Sequence, residues 1–184
     1  WNVVGTDVVT STAAVDTGAT STSGNYVAGT YTQTASAIDG ADASNYSFGG
    51  FTSAANYTIT ARSLTAAYTG TNKFYDATTA ATATGSSNDI IAGDAVTFSQ
   101  TAAFADKNVA TGKTVSVSGI ALSGADAANY SLTGTTATTT ADINPAALTV
   151  TAKDDHKIYG GVGYSGGNGV TYDGFVGGET SAVL

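Results

Sequence analysis

The chain has 184 residues, with 6 Lys+Arg against 14 Asp+Glu, one His, one Pro and neither Cys nor Met, giving a net charge of −8 and a pI near 4.1. Six scattered cations cannot displace counterions from a phosphate backbone, which excludes a nucleic-acid binder. The absence of Cys excludes a disulfide framework and a zinc-thiolate site. No run approaches the roughly 18 apolar residues of a membrane-spanning helix, and the residues after Trp1 do not read as a leader peptide. Ala (33), Thr (33) and Gly (23) fill nearly half the chain, and Val, Ile, Leu and Phe make up only about 18%. Low charge density, ten Tyr and alternating apolar residues argue for slim folded β units over disorder.

In chain order, the first distinctive block is Thr12-Ala13-Ala14-Val15, which resembles Thr101-Ala102-Ala103-Phe104 at an offset of 89. Gly40-Ala41-Asp42-Ala43-Ser44-Asn45-Tyr46-Ser47-Phe48 returns as Gly124 to Leu132 at an offset of 84. Ile59 to Ala66 returns as Ile143 to Val150, and Lys73-Phe74-Tyr75 as Lys157-Ile158-Tyr159, both again at 84. A fixed offset over three blocks indicates a repeat. The difference between 84 and 89 places extra loop residues around Ser23 to Gly29 of the earlier copy. The repeat divides the chain into residues 1–61, the back part of one unit; 62–145, a whole unit; and 146–184, the front part of a following unit.

Within the whole unit, Leu64, Ala66 and Tyr68 alternate with polar neighbours, as do Val96, Phe98, Ala102 and Phe104. Val115 and Val117 share one face, whereas Ile120 and Leu122 have the opposite parity. A β-bulge at Gly119 would restore their facing. Tyr130 and Leu132 follow, then Ala137, Thr139, Ala141 and Ile143; Leu148, Val150 and Ala152 open the next unit. At most a short helical turn fits, near Asp126. The spacing Asp126-x-Ala128-x-Tyr130 matches the corner of immunoglobulin-like sandwiches, where a Tyr hydroxyl reaches back to an upstream backbone group; Tyr46 occupies the earlier copy. Units meet almost without linker, and Pro145 fixes one dihedral at the second junction. The fold expected is all-β: small antiparallel β-sandwich domains in tandem, immunoglobulin-like or β-grasp-like, forming a rod. Tyr46, Asp126, Tyr130, Gly119 and Pro145 are its expected structural residues.

Lys73-Phe74-Tyr75-Asp76-Ala77-Thr78-Thr79 resembles the K-x-Y-D-G-T-T opening of the YDG domain, with Ala77 where Gly is usual. Ala103 to Lys113 is similar to that domain's F-A-D-K-N-V-G-x-G-K stretch, with Ala110 for Gly, and Gly124 to Tyr130 to its G-A-D-A-x-N-Y block. Residues from Ala147, through Tyr172-Asp173-Gly174-Phe175 to Glu179, resemble the front of an MBG domain. Such domains occur in tandem in large bacterial surface adhesins of the filamentous-haemagglutinin, two-partner-secretion type. The resemblance implies an extracellular, cell-surface stalk, part of a larger secreted protein, in adhesion, aggregation or biofilm cohesion. It brings no catalytic residue.

Signals of other chemistry are weaker. Gly163-Tyr164-Ser165-Gly166-Gly167 fits G-x-S-x-G, but His156 precedes it and no helix follows. Gly161-x-Gly163-x-x-Gly166 lacks the helix a dinucleotide needs. His156 has Asn72 as its repeat equivalent, which argues against a metal ligand. Asp39 with Asp42, Asp89 with Asp94, and Asp154 with Asp155 are too sparse for the six to eight oxygens of calcium. Asn45, Asn56 and Asn129 sit in N-x-S/T acceptors. Lys73 and Asn144 are the candidates for an isopeptide bond. The expected reading is therefore non-enzymatic, with no metal or cofactor, and with neighbouring repeat domains as partners. Two alternatives stand beside it. One is a module binding protein, surface glycan or matrix polysaccharide through Tyr26 and Tyr31, or through Tyr159, Tyr164 and Tyr172. The other is a filament subunit self-associating by strand complementation.

Overall fold

The computed structural model describes residues 3–161, 163 and 166–184. Its regular structure is almost entirely β, as alternation of Thr, Val, Tyr and Ala between Gly- and Asp-rich turns demands. The strands are β1 Ala14–Val15, β2 Gly29–Tyr31, β3 Gln33–Ala35, β4 Phe51–Thr52, β5 Tyr57–Ile59, β6 Arg62–Leu64, β7 Ala67–Thr71, β8 Lys73–Phe74, β9 Thr82–Ser86, β10 Thr97–Phe104, β11 Ala110–Ser123, β12 Tyr130–Leu132, β13 Thr136–Asn144, β14 Thr149–Ala152 and β15 Val170–Asp173. Three short 3-10 turns, Ala43–Asn45, Ala127–Asn129 and Ser181–Val183, are the only helical pieces among the described residues. None of the described helices is long and apolar enough to cross a membrane.

The chain forms two compact units, each discontinuous in sequence. The first comprises Trp1–Ala66, Ser87–Ser99 and Ala121–Gly134; the second comprises Ala67–Ser86, Gln100–Ile120 and Thr135–Leu184. In the first unit the sheets are small: β1-β3-β4, β2-β5 and β12-β6. The last pair is parallel, with Tyr130 opposite Arg62, Ser131 opposite Ser63 and Leu132 opposite Leu64. Leu64 is fully buried, and Tyr130 and Asp126 are nearly so.

In the second unit residues 100–104 of β10 and 110–120 of β11, with β13 and β8, in the order β10-β11-β13-β8, carry most of the core, and β7-β9 and β14-β15 are separate pairs. Val115, Val117, Ile120, Phe104, Ala141 and Ile143 are buried. Ser118 stands opposite Thr136, yet the next strand bond runs from the Ile120 N–H to the Thr135 carbonyl at 3.1 Å. Two residues of β11 thus span one step of β13 at Gly119, whose φ of +64° favours glycine. This shift brings Ile120 to the buried face that Val115 and Val117 occupy. Gly70 of β7 lies so close to β13 that a Cβ there would meet the Thr140 carbonyl oxygen at 2.5 Å. Most strand pairs are antiparallel, but β12-β6 and β13-β8 are parallel. These two join strands distant in sequence, beyond the reach of hairpin turns. Every residue of β14 is exposed, so the alternation at Leu148, Val150 and Ala152 marks no buried face among the described residues.

Candidate functional site

Each element of the site is a corner where a 3-10 turn meets an upstream segment. In the later corner the Ala95 N–H donates to the Asp126 carboxylate at 2.7 Å, and the Asp126 N–H returns to the Ala95 carbonyl at 3.2 Å. The Tyr130 hydroxyl accepts from the Ile91 N–H at 2.9 Å and donates to Asp94 at 2.6 Å. The earlier corner has four bonds in the same roles. Val8 N–H donates to Asp42 at 2.8 Å, and the Asp42 N–H returns to Val8 at 3.2 Å. The Tyr46 hydroxyl accepts from Val4 at 2.7 Å and donates to Asp7 at 2.8 Å.

The downstream halves of the two corners differ by 84 residues, as in the sequence, and the upstream halves by 87 over Val4 to Val8, against the 89 read at Thr12 to Val15. Glycine is obligatory at the turn. Gly40 and Gly124 have φ of +114° and +109°, and a Cβ would come within 2.4 and 2.3 Å of the Val8 and Ala95 carbonyl oxygens. Gly174, in the second unit, repeats the arrangement with φ of +112° and the Ala147 oxygen at 2.4 Å.

The later corner is clasped by the segment from Ser21 to Ala28. Thr22 N–H donates to Asp126 at 3.1 Å. The Thr22 hydroxyl lies between the Gly93 carbonyl, at 2.7 Å, and the second oxygen of Asp126. Ser23 N–H donates to Asp94 at 3.3 Å, and Ala28 N–H to the Asn129 side chain at 2.8 Å. Ser21, Tyr26, Ile59, Arg62, Asp94 and Tyr130 are among the residues lining a cavity of about 130 Å³ beside it. Hydrogen bonds from Ser23 and then Tyr130 hold Asp94 down to about 2. Thr22, followed by the Ala95 N–H, lowers Asp126. Burial, followed by the hydrogen bond to Asp94, raises the Tyr130 phenol.

The second unit holds a related clasp. Glu179 follows Gly174 by the same five residues that separate Asn129 from Gly124. It accepts from the Tyr75 hydroxyl at 2.5 Å and from Lys107 at 2.8 Å. Lys107 also lies 5.6 Å over the Tyr75 ring. Lys107, and then Tyr75, lower Glu179; the hydrogen bond to Glu179 and then that to Tyr75 raise Lys107. Pro145 lines a cavity of about 200 Å³ with Tyr75, Val109, Leu148, Phe175 and Glu179.

Of the remaining candidates, Tyr31 donates to the Val27 carbonyl. Tyr26 is exposed, Tyr159 fully so, and Tyr172 packs at 5.7 Å from Phe175. Asn129 is held by Ala28, and Asn56 accepts from Gln33; Asn45 is exposed. Lys73 bonds to Asp76 and Thr78, while Asn144 stands opposite Phe74. His156 is exposed, with its N–H on Asp155. No three His, Cys, Asp or Glu side chains gather at metal-holding distance among the described residues. Val162, Tyr164 and Ser165 lie outside the described residues, so the G-x-S-x-G and Gly161-Gly163-Gly166 readings fall partly there. Sequence reasoning missed Thr22, Ala28 and Glu179. Its only signal of the first clasp was the surplus of residues near Ser23 to Gly29.

What the arrangement can do is hold one segment of the chain to another: the corner carboxylates are committed to backbone and hydroxyl donors, and Glu179 to the Tyr75 hydroxyl and the Lys107 ammonium. A further feature fits the family blocks. Ala77 has φ of +63°, a left-handed conformation that disfavours any side chain. No curated protein and no solved structure matches the chain. Residues 60–140, which hold the later corner and the Tyr75 and Lys107 loops, match the YDG domain, so a YDG domain is found there.

Proposed function

We propose that this chain is a non-catalytic structural segment of a secreted or surface-anchored bacterial adhesin, a piece of stalk serving adhesion, aggregation or biofilm cohesion outside the cell. Residues 1–61, 62–145 and 146–184 are successive repeat-type β-sandwich units, the last of MBG type, stacked as a stiff rod. One observation carries the reading: the four-bond corner occurs twice, and the later one is gripped by a loop from the copy before it. Units built this way are stabilised by their neighbours as much as by themselves, so that load passes through many short hydrogen bonds. The YDG match supports it, because the matched stretch contains the later corner and the Tyr75 and Lys107 loops. Small-angle scattering tests it. An elongated, rigid particle is expected; a flexible chain of beads or a compact sphere would contradict it.

A further inference from the structure

The two corners share their bonds but not their surroundings. Beside the later one, β6 runs parallel to β12 and places the fully buried Leu64 opposite Leu132. The Thr133 N–H then donates to the Leu64 carbonyl at 3.0 Å. At the earlier corner the equivalent residues Tyr46, Ser47 and Phe48 belong to no strand, and no strand pairs with them among the described residues. What stands there is a groove of about 500 Å³ with an almost wholly apolar lining, formed by Val3, Val9, Ile38, Phe48 and Phe51 with Tyr46. Phe51 is 66% exposed and Val3 45%. Apolar surface of this extent calls for a cover.

We propose that this groove is an acceptor slot for one extended strand of the β6 kind, an apolar residue flanked by Ser or Thr, as in Arg62-Ser63-Leu64-Thr65-Ala66. The later corner supplies the binding mode. The incoming strand runs parallel to Tyr46–Phe48, its Leu stands opposite Phe48, and the Gly49 N–H, at the position equivalent to Thr133, donates to the Leu carbonyl. Backbone bonds supply affinity and the single apolar side chain supplies register, as in other strand-addition sites. A polar or charged residue at the Leu position would be desolvated without a partner. The inference rests on the recurrence of the corner and holds whether or not the chain is a stalk.

The test uses the full chain and a labelled peptide of residues 59–66, followed by fluorescence anisotropy and by amide exchange at Ser47, Phe48 and Gly49. Saturable binding is expected, with slowed exchange at Ser47 and Gly49, whose N–H groups face the incoming strand, and less change at Phe48, whose N–H points away from it. Replacing Leu64→Asp in the peptide should weaken binding at least tenfold, as should Phe48→Lys in the chain. The peptide variant leaves the protein intact, so the result does not depend on how the chain variant folds. No saturable binding at millimolar peptide, or equal binding of the Leu64→Asp peptide, would overturn the proposal. So would displacement of the wild-type peptide by a small apolar dye with no change in exchange at Ser47 to Gly49.

Discussion

The corners at Gly40–Tyr46 and Gly124–Tyr130 make the same four hydrogen bonds, yet one is half open and the other closed. Asp126 is 3% and Tyr130 6% exposed, whereas Asp42 and Tyr46 are only half-buried. The bonds themselves follow from local sequence: a glycine that alone tolerates the turn, an Asp two residues on, and a Tyr four beyond that. Burial comes from elsewhere, from β6 on one side and from the Ser21–Ala28 loop on the other. The local block thus specifies the skeleton of each corner, and segments distant in sequence, β6 and the Ser21–Ala28 loop, supply the burial of the later one. The same division explains why a structural unit can recur without each copy being equally stable.

The sharpest way to break the contrast is to remove what closes the later corner. Leu64→Ala should destabilise the first unit by about 2–5 kcal/mol, the cost of a cavity at a fully buried site, measured by urea unfolding. An equal change at Phe48 should cost clearly less, because no strand covers it. Next, Tyr130→Phe leaves the part-buried Ile91 N–H without its acceptor and takes one of the donors from Asp94, and should cost about 1–3 kcal/mol. Tyr46→Phe, at the open corner, should cost less, and a reversal of that order would remove the distinction between the corners.

Acid should act on the closed corner as well. Asp94, at about 2, and the lowered Asp126 are ionised in the fold at pH values where the unfolded chain takes up protons. Their folded pKa lies below the unfolded one. Their stabilisation is therefore complete above about pH 5 and is lost as pH falls through about 4 toward 2. Lowered Asp76, Asp106 and Glu179 in the second unit act in the same sense. Thermal melts between pH 6 and 2.5 should show a steady loss below about 4, and a flat profile would sink this account of the carboxylates. The smallest effect lies away from both corners. Ala77→Gly should stabilise the second unit by about 0.5–1 kcal/mol, by relieving the left-handed backbone at φ +63°.

Much of this is legible in the sequence. The Gly124-to-Leu132 block carried its own earlier copy, alternation placed Leu64 and Phe104 inside, and the parity change across Gly119 located the place where β11 skips a step. These are local patterns, with periods of two residues or fixed short spacings. The clasps were not legible. Thr22 meets Asp126 across 104 residues through a hydroxyl and an N–H that every Thr possesses. Glu179 meets Tyr75 across the same separation. Nor did the sequence reveal that β6 and β12 pair in parallel, because strand direction depends on the route of the chain between them and not on side-chain alternation. The 84-residue spacing was easy to read because the insertion near Ser23 left it intact downstream. Upstream, the corner itself was needed to fix the spacing at 87 over Val4 to Val8.

Residue-resolved amide exchange at Val4 and Ile91, the two N–H groups that donate to the corner tyrosines, tests the paired corners most directly. Both should be protected, Ile91 by the larger factor, and Tyr130→Phe should release Ile91 while leaving Val4 unchanged. Unprotected exchange at both positions, or simultaneous release of both by that one substitution, would contradict two separate corners built to one pattern.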